Sequence, residues 1–423
     1  VGLVISAIMA AAIVVIMYWV GKTCGDWKTG LLASGFTAIV TGQFFYRSLY
    51  GYMDHHIGEV LFSTIFCLFY MYALLSEKET KIDWKDISTY KKTVVFSALA
   101  GVAYLLGLFV MPTMILFAMI AGIFTVIQFI IDVHRNRTSE YLVIINIVVF
   151  VIAILGLVLF GLKSPGIDLS TYSIGPIYAY LGLILGTGGL YLIARYLKGK
   201  EWYFYPAALL GCGIFVALIL FVVSPALFNL LIASFFAFFG QQAITNTVQE
   251  ARGWGLDLAW MTFNYGLILM VGGILVMAYN NLRDEHPEQV FALVWSLIML
   301  FSTWQHVRYE YYLAINIALL SAVCVSFVWT NDYPMGIILF AHDKHWQYRR
   351  AGPLGEDYRA GSRCRLPTEK IHENKREAFT IELSDGGVGC CHRWTGWIIC
   401  LYIGFLQLFQ CCKYSDPDES GLA

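Results

Sequence analysis

Long apolar runs separated by short polar connections dominate the first 329 residues of the chain. A run of about 20 apolar residues is long enough to cross the hydrocarbon core of a bilayer as an α-helix. On this basis we predict transmembrane helices at 1–20, 30–46, 57–75, 94–110, 114–131, 142–162, 174–194, 204–223, 257–279, 288–303 and 309–329. The pattern therefore predicts an all-α polytopic transmembrane bundle of about 11–12 spans.

One further apolar run, 226–240, decides between eleven and twelve spans. It is rich in Phe, is shorter than the other runs and follows Ser224 and Pro225. A run of this length is more typical of an interfacial or re-entrant segment than of a full span. If 226–240 did cross the membrane, the sides of all later connections would be exchanged.

Composition supports the membrane class and excludes two others. The chain is 58% hydrophobic and 13% charged, whereas soluble domains carry about 25% charged residues. The net charge of −1 offers no excess of cations to neutralise phosphates, so we predict no nucleic-acid partner. Four isolated cysteines, which lie mostly in apolar runs, are expected to act as small core residues: Cys24, Cys67, Cys212 and Cys324.

The density of charged residues changes sharply near residue 330. Residues 1–329 contain 17 Lys and Arg and 17 Asp and Glu, whereas the much shorter 330–423 contains 11 and 12. We predict a multi-pass domain over 1–329 and a poorly defined polar tail over 330–423, either disordered or derived from a shifted reading frame. The chain begins inside an apolar run, so we also expect it to be incomplete at its N-terminus.

Basic residues fall in alternate connections, which predicts the sidedness of the bundle. One set of connections carries 13 Lys and Arg, and the other carries only Arg47, Lys163, Arg252 and Arg308. Connections rich in Lys and Arg stay in the cytoplasm. We therefore expect a multi-pass protein of the cell membrane with its active site on the outer face. This assignment requires 226–240 not to cross.

The first candidate site lies in an outer connection near the start of the chain. It contains Arg47, Asp54, His55, His56 and Glu59. Asp54 and His56 are two residues apart, so both can face one cation from an irregular turn. A carboxylate and an imidazole suit Mn²⁺ or Mg²⁺ when phosphate and water complete the coordination. The alternative is that Asp54 caps the next helix and the histidines are solvated at the interface.

The second candidate is the polar stretch 241–252, which lies between two apolar segments. It contains Glu250 and Arg252. Long polar loops at a membrane face often carry function. The alternative is a solvated loop with a local ion pair between these two residues.

The third candidate is 302–312, where His306 and Arg308 lie among Tyr and Trp residues at the end of a span. These aromatic residues are expected at a membrane interface. The planar guanidinium of Arg308 suits the oxygens of a lipid phosphate or a substrate pyrophosphate. The alternative is that Arg308 reaches ordinary headgroups. The sequence contains no phosphate-binding glycine loop, dinucleotide fingerprint or nucleophile elbow.

Together these three segments resemble the catalytic subunit of oligosaccharyltransferase, most closely its archaeal single-subunit form. Residues 54–59 are similar to the Asp-His-His-x-x-Glu variant of that family's second acidic motif. Residues 247–250 are similar to its Thr-Ile-x-Glu motif, with Val in place of Ile, and 305–309 are similar to the segment that carries its pyrophosphate-binding arginine.

The resemblance implies transfer of a lipid-linked oligosaccharide to the Asn side chain of Asn-x-Ser/Thr sites. It implies Mn²⁺ or Mg²⁺ as cofactor. The implied partners are a polyprenyl- or dolichyl-linked donor, an acceptor polypeptide and membrane lipid. The site residues that it implies are Arg47 and Glu250 in catalysis, Glu250, His306 and Arg308 in substrate binding, and Asp54 and His56 as metal ligands.

The sequence departs from this family at both ends. The family's first acidic motif has no counterpart, and the Trp-Trp-Asp-Tyr-Gly motif that reads the acceptor Ser/Thr is also missing, since 394–397 does not match it. We therefore expect an incomplete enzyme that does not glycosylate a peptide by itself.

Three other functions remain open. A different polyprenyl-phosphate-dependent membrane glycosyltransferase would also use an outer-face acid, but would not need 247–250. A non-catalytic remnant of such an enzyme would fit the missing ends. An ion-coupled transporter would need ionisable residues at mid-membrane and paired broken helices, whereas the acids here lie at span ends.

Overall fold

The computed structural model describes residues 2–52, 54–79, 86–137, 139–169, 171–226, 228–229, 232–233 and 252–330. All regular elements within these residues are helical. In chain order they are α1 (Gly2–Cys24), α2 (Trp27–Ile39), α3 (Gln43–Ser48), α4 (His56–Glu79), α5 (Lys91–Val110), α6 (Ile115–His134), α7 (Glu140–Phe160), α8 (Gly175–Tyr196), α9 (Phe204–Val223), α10 (Leu256–Phe263), α11 (Tyr265–Arg283), α12 (Pro287–Gln305) and α13 (Glu310–Thr330). Short 3₁₀ turns precede α5, α6 and α13.

The predicted class, a multi-pass helical membrane protein, is confirmed. Nine helices in the described part of the chain are long and apolar enough to cross a membrane: α1, α4 to α9, α11 and α13. The predicted tail lies outside the described residues, so the division at residue 330 stays a prediction. Cys24, Cys67 and Cys324 are buried free thiols, as expected, whereas Cys212 is exposed.

The predicted span over 30–46 is wrong as a continuous helix. Helix α2 has 13 residues, which at 1.5 Å per residue is about 20 Å and falls short of a bilayer's ~30 Å core. It ends at Ile39, the next residue Val40 is extended, and Gly42 has φ +88°. The chain then resumes as the six-residue helix α3. This break brings Arg47 into a short helix beside the start of α4.

Two other predicted spans also differ in detail. The predicted helix 257–279 is divided at Asn264, whose φ is +49°. Helix α12 covers the predicted 288–303 and has 19 residues, but it is not among the nine apolar spans. It buries Glu288, Gln289 and Ser302. A helix enclosed by other helices can carry polar residues that pair with those neighbours. Such a helix is long enough to span the membrane, but its polar residues make it less apolar than a lipid-facing span.

Hydrogen bonds place the helix ends at two opposite faces of the bundle. At one face the connections 40–56 and 252–256 contact the end of α12 and the start of α13. At the other, the Gln289 side chain donates to the Cys24 carbonyl at 2.8 Å, and Arg135 donates to the Asn281 carbonyl at 2.6 Å. The first and third candidate segments, together with the residues from Arg252 onward that follow the second, therefore flank one face, which we call the site face.

Candidate functional site

Arg47, Asp54 and His56 form one cluster at the site face. Arg47 lies in the last turn of α3 and is buried, and His56 begins α4. One guanidinium nitrogen, Nη1, lies 2.5 Å from Asp54 Oδ2 and 2.9 Å from His56 Nδ1. His56 Nδ1 in turn lies 2.6 Å from Asp54 Oδ1. The structure therefore brings together the two predicted metal ligands and the predicted neighbouring cation.

The surroundings of Asp54 favour its ionised form. Burial raises the pKa of this carboxyl, but the hydrogen bond from His56 and the charges of His56 and Arg47 outweigh that effect, and the pKa lies below its ordinary value. The described contacts of the Asp54 side chain are to the side chains of Arg47, His55 and His56. They favour a ligand cluster over a helix cap.

His55 extends the cluster toward Glu59. Its Nδ1 lies 3.0 Å from Asp54 Oδ1, and its Nε2 lies 3.3 Å from Glu59 Oε1. One ligand atom from each of Asp54, His55 and His56 lies within 4.8 Å of the others. This donor set, one carboxylate and two imidazoles at the membrane face, fits a divalent cation.

Tyr311 and Tyr312 of α13 pack against this cluster. The Tyr311 ring packs edge-on against the His56 ring, with centroids 4.8 Å apart, and the Arg47 guanidinium carbon lies 5.5 Å from the Tyr311 centroid. The Tyr312 hydroxyl donates to the buried Glu59 carboxylate at 2.7 Å. The third candidate segment is thereby packed against the first.

Arg308 lies in the 3₁₀ turn Val307–Tyr309, immediately before α13. Its guanidinium carbon lies 5.5 Å from the Tyr309 ring centroid. Its Nε is buried and has no hydrogen-bond partner among the described residues. A buried guanidinium N–H without an acceptor favours an anionic ligand at this position, because a buried donor left unsatisfied is costly.

His306 is buried, and its backbone fixes the turn that carries Arg308. Its N–H donates to the Ser302 carbonyl at 2.9 Å, and its carbonyl accepts from the Tyr309 N–H at 3.1 Å. Its ring centroid lies 6.2 Å from that of Tyr309. These contacts give His306 a part in shaping the turn, and its predicted substrate contact stays a prediction.

Glu250 lies outside the described residues, and so does the rest of 247–250. The residues that follow it are attached to the Arg308 segment. The Arg252 carbonyl accepts from the Val307 N–H at 2.9 Å, and the Trp254 N–H donates to the Trp304 carbonyl at 3.0 Å. The chain two to four residues after Glu250 is therefore fixed beside Arg308.

The contacts of Glu310 are not indicated by the sequence. This carboxylate is buried and accepts hydrogen bonds from the Gln43 N–H and the Trp254 indole N–H. In the sequence, Glu310 is only an acidic residue at the end of a predicted span. Its two partners are remote in sequence, so no local spacing indicates the contacts.

Fold and site together define a class, namely a polytopic helical membrane protein with a candidate metal and anion centre at one membrane face. No protein-family model matches the chain. The predicted resemblance to archaeal oligosaccharyltransferases is confirmed by two curated relatives. The first is the dolichyl-monophosphooligosaccharide–protein glycotransferase AglB of Haloferax volcanii, which is 24% identical over 76% of this chain and 38% of its own length. The second is the dolichyl-phosphooligosaccharide–protein glycotransferase 3 of Archaeoglobus fulgidus, which is 24% identical over 77% of this chain and 39% of its own length.

Solved structures share the fold of this chain. The Archaeoglobus fulgidus oligosaccharyltransferase in its apo form has a TM-score of 0.69 at 23% identity, and covers 78% of this chain and 39% of its own. AglB from the same organism, in complex with an inhibitory peptide and a dolichol-phosphate, has a TM-score of 0.68 at 21% identity, with coverages of 84% and 41%. A Zn and sulfate complex of the Archaeoglobus fulgidus oligosaccharyltransferase has a TM-score of 0.61 at 22% identity, with coverages of 79% and 38%. The chain spans about two fifths of the length of the relatives it matches.

Proposed function

We propose that this chain is the membrane part of an oligosaccharyltransferase, a glycosyltransferase that moves a lipid-linked oligosaccharide to the Asn side chain of Asn-x-Ser/Thr sites. The observation that carries this proposal is the Arg47–Asp54–His56 cluster together with the buried Nε of Arg308 at the same face. The two curated relatives, named as protein glycotransferases, favour this function over another polyprenyl-phosphate transferase.

Asp54 and His56 are proposed to hold a divalent cation, Mn²⁺ or Mg²⁺, with His55 within reach as a further donor. The bound ion would supply positive charge at the leaving phosphate of the donor. Arg47 keeps the two ligands in place, because the same guanidinium nitrogen contacts both of them. The carboxylate and imidazole ligands are compatible with Mn²⁺, Mg²⁺ or Zn²⁺, and a similar protein was solved with Zn and sulfate.

Arg308 is proposed to bind the phosphate or pyrophosphate of a dolichyl- or polyprenyl-linked donor. Its guanidinium lies at the end of a spanning helix, where a lipid headgroup would be found, and its buried Nε has an N–H to donate. Glu250 is proposed to accept a hydrogen bond from the acceptor amide N–H and so to orient the Asn side chain. A carboxylate in the loop that joins the Arg308 segment would suit this role.

We place the active site on the outer face of the cell membrane. The basic residues Arg137, Lys198 and Arg283 lie near the helix ends opposite the site face, as the positive-inside rule requires for a cytoplasmic surface. Helix α9 begins next to the end of α8, where the Tyr205 hydroxyl donates to the Leu190 carbonyl at 3.1 Å. Helix α9 therefore runs toward the site face, which is also the face where α10 starts. This supports a connection 224–256 that begins and ends at the site face without crossing the membrane.

Donor binding tests this proposal. The purified chain in lipid nanodiscs should bind dolichyl phosphate in the presence of Mn²⁺ and should discriminate against uncharged dolichol. Arg308→Gln should weaken dolichyl phosphate binding by about tenfold or more, because it removes a charge-assisted hydrogen-bond donor to phosphate. The measurement is a titration with fluorescently labelled dolichyl phosphate.

Arg283→Gln is the matched control for this experiment. Arg283 also stacks on a neighbouring tyrosine, with its guanidinium carbon 5.5 Å from the Tyr279 centroid, but it lies at the opposite face. It should bind dolichyl phosphate like the wild type. Equal affinities of the wild type and Arg308→Gln would show that Arg308 is not the donor site.

Acceptor binding separates this function from that of another polyprenyl-phosphate glycosyltransferase. An Asn-x-Thr peptide should bind more tightly than its Gln-x-Thr counterpart, and Glu250→Ala should abolish the difference. A peptide preference that survives Glu250→Ala would favour the alternative enzyme.

A further inference from the structure

A single buried carboxylate joins three segments of the chain that surround the site. Glu310 is the first residue of α13 and is only 3% exposed. Its Oε1 accepts a hydrogen bond from the Gln43 backbone N–H at 3.0 Å, and its Oε2 accepts one from the Trp254 indole N–H at 3.0 Å. The two donors lie 267 and 56 residues away in sequence. Both oxygens of this carboxylate are therefore used, each by a different part of the fold.

Each contact of Glu310 reaches a segment that bears a site residue. Gln43 begins α3, and its N–H belongs to the first turn, where backbone donors have no partner within the helix. Four residues later in the same helix, Arg47 donates from Nε to the Gln43 side-chain oxygen at 3.3 Å. Trp254 follows Glu250 by four residues, and Glu310 itself follows Arg308 by two.

The backbone at the break between α2 and α3 is shaped to receive this carboxylate. Gly42 has φ +88°, and a Cβ built there would lie 2.5 Å from Glu310 Oε1 and 2.8 Å from Thr262 Cγ2. No side chain fits in that space, and the positive φ also favours glycine. The Thr41 hydroxyl donates to the Thr262 carbonyl on the adjoining side. Glu310 is thus in direct contact with the turn that places Arg47.

We propose that Glu310 is a positioning residue, whose two carboxylate oxygens hold the Arg47 helix and the segment after Glu250 in register with Arg308. A buried carboxylate with one donor on each oxygen defines the relative position of both donors, because neither can move without leaving a charged oxygen unsatisfied. The positioning stands on geometry alone. Its consequence for anion binding rests on the proposed function.

Amide hydrogen exchange in the ligand-free chain tests the positioning directly. Glu310→Gln keeps the length and shape of the side chain but places an NH₂ group against one of two donors. We expect exchange in 43–48 and 252–256 to become about tenfold faster or more, since a buried donor loses its acceptor. Both segments should respond together, because one side chain connects them.

Glu140→Gln is the matched control. Glu140 is also a carboxylate in the first turn of a spanning helix, and it accepts from the Tyr191 hydroxyl at 3.1 Å, but it lies at the opposite face. It should leave exchange in 43–48 and 252–256 within about twofold of the wild type. A comparable acceleration by Glu140→Gln would mean that the loss of any carboxylate at the start of a spanning helix loosens these segments, and the proposal would fall.

A double-mutant cycle with Trp254→Phe separates positioning from simple packing. Trp254→Phe removes the indole N–H and keeps an aromatic ring. In Glu310→Gln with Trp254→Phe, the amide oxygen can still accept from the Gln43 N–H, and the NH₂ group no longer opposes another donor. The combined effect on exchange should therefore be smaller than the product of the two single effects, by about threefold or more. Multiplicative effects would overturn the proposal.

If Glu310→Gln does not fold, Trp254→Phe alone must still accelerate exchange in 43–48, and no acceleration there would count equally against the proposal.

Pyrophosphate binding provides the functional readout. With Mn²⁺ present, Glu310→Gln should bind inorganic pyrophosphate about tenfold more weakly than the wild type, and Glu140→Gln should bind it equally well. If the wild type binds no pyrophosphate, the proposed function fails while the exchange data still decide the role of Glu310. If exchange changes as expected but pyrophosphate affinity does not, the anion-binding consequence is refuted.

Discussion

Arg47 has an unusual position among the charged residues of the site, because one of its nitrogens contacts both Asp54 and His56. Each of these two residues was identifiable from local spacing, since they lie within ten residues of Arg47 in sequence. The burial of Arg47 was not predictable in the same way. It follows from the Tyr311 ring, which belongs to a helix more than 250 residues later.

The ligand role of Asp54 and His56 gives a prediction at the residue scale. The double substitution Asp54→Ala with His56→Ala should weaken Mn²⁺ binding by about tenfold or more. Substitution of residues that only hydrogen-bond to metal ligands already lowers metal affinity by that factor, and this variant removes two ligands. Isothermal titration of the purified chain with Mn²⁺ measures this. His134→Ala, whose ring packs against Trp202 at the opposite face, should bind Mn²⁺ like the wild type. Unchanged affinity in the double variant would exclude this metal site.

At the scale of elements, the most informative case is the pair α2 and α3. Hydropathy alone joined them into one predicted span, because the residues across the break are apolar or small. The structure ends α2 after 13 residues and uses Gly42 to redirect the chain. The reason is tertiary: the space beside Gly42 is filled by the Glu310 carboxylate, which also accepts the first free N–H of α3.

The start of α2 has a defined cap that hydropathy alone does not indicate. Asp26 accepts from the Thr29 N–H at 2.9 Å and from the Ser326 hydroxyl at 3.3 Å, which ties α2 to the end of α13. Burial raises the pKa of the Asp26 carboxyl, but the hydrogen bonds from Thr29 and Ser326 outweigh it and the pKa lies below its ordinary value. A depressed pKa means that the cap stabilises the fold at neutral pH and loses this effect as the carboxyl becomes protonated in acid.

Asp26→Ala should therefore lower the free energy of unfolding at pH 7 by about 1 kcal/mol, the usual contribution of a helix N-cap. The difference from the wild type should persist while pH is above the ordinary carboxyl range and shrink as pH falls below it. Thermal unfolding in detergent at a series of pH values measures this. The exposed Asp257 supplies the comparison, and Asp257→Ala should change the stability little. A pH-independent difference for Asp26→Ala would contradict the role of the ionised cap.

At the scale of the whole molecule, the sidedness of the bundle gives a prediction. Tyr50 is exposed at the site face, and Lys198 is exposed near the opposite helix ends. In a background without other cysteines, Tyr50→Cys should react with a membrane-impermeant thiol reagent in intact cells. Lys198→Cys should react only after permeabilisation. The reverse pattern would place the site in the cytoplasm and would exclude the proposed orientation.

Hydropathy predicts which segments span the membrane but not which helices pack against one another. Helices α9 and α13 both qualify as apolar spans, yet Tyr205 alone among the residues of α9 is buried in the bundle, whereas 83% of the apolar stretch of α13 is buried. Lipid and neighbouring helices are equally apolar surroundings, so a spanning helix has no polar face that would reveal its partners.

The sequence by itself determined the membrane class, most of the helix positions, the charge asymmetry between the two faces and the local grouping of Asp54, His55 and His56. These features depend on residue type and short spacing, which apolar transfer into a bilayer and local backbone geometry convert directly into structure. Only the tertiary structure decided the break at Gly42, the burial of Arg47 against Tyr311 and the bridging position of Glu310. Those depend on hydrogen bonds and ring contacts between segments far apart in the chain, and no period or spacing in a single sequence encodes which distant partner a buried polar group will meet.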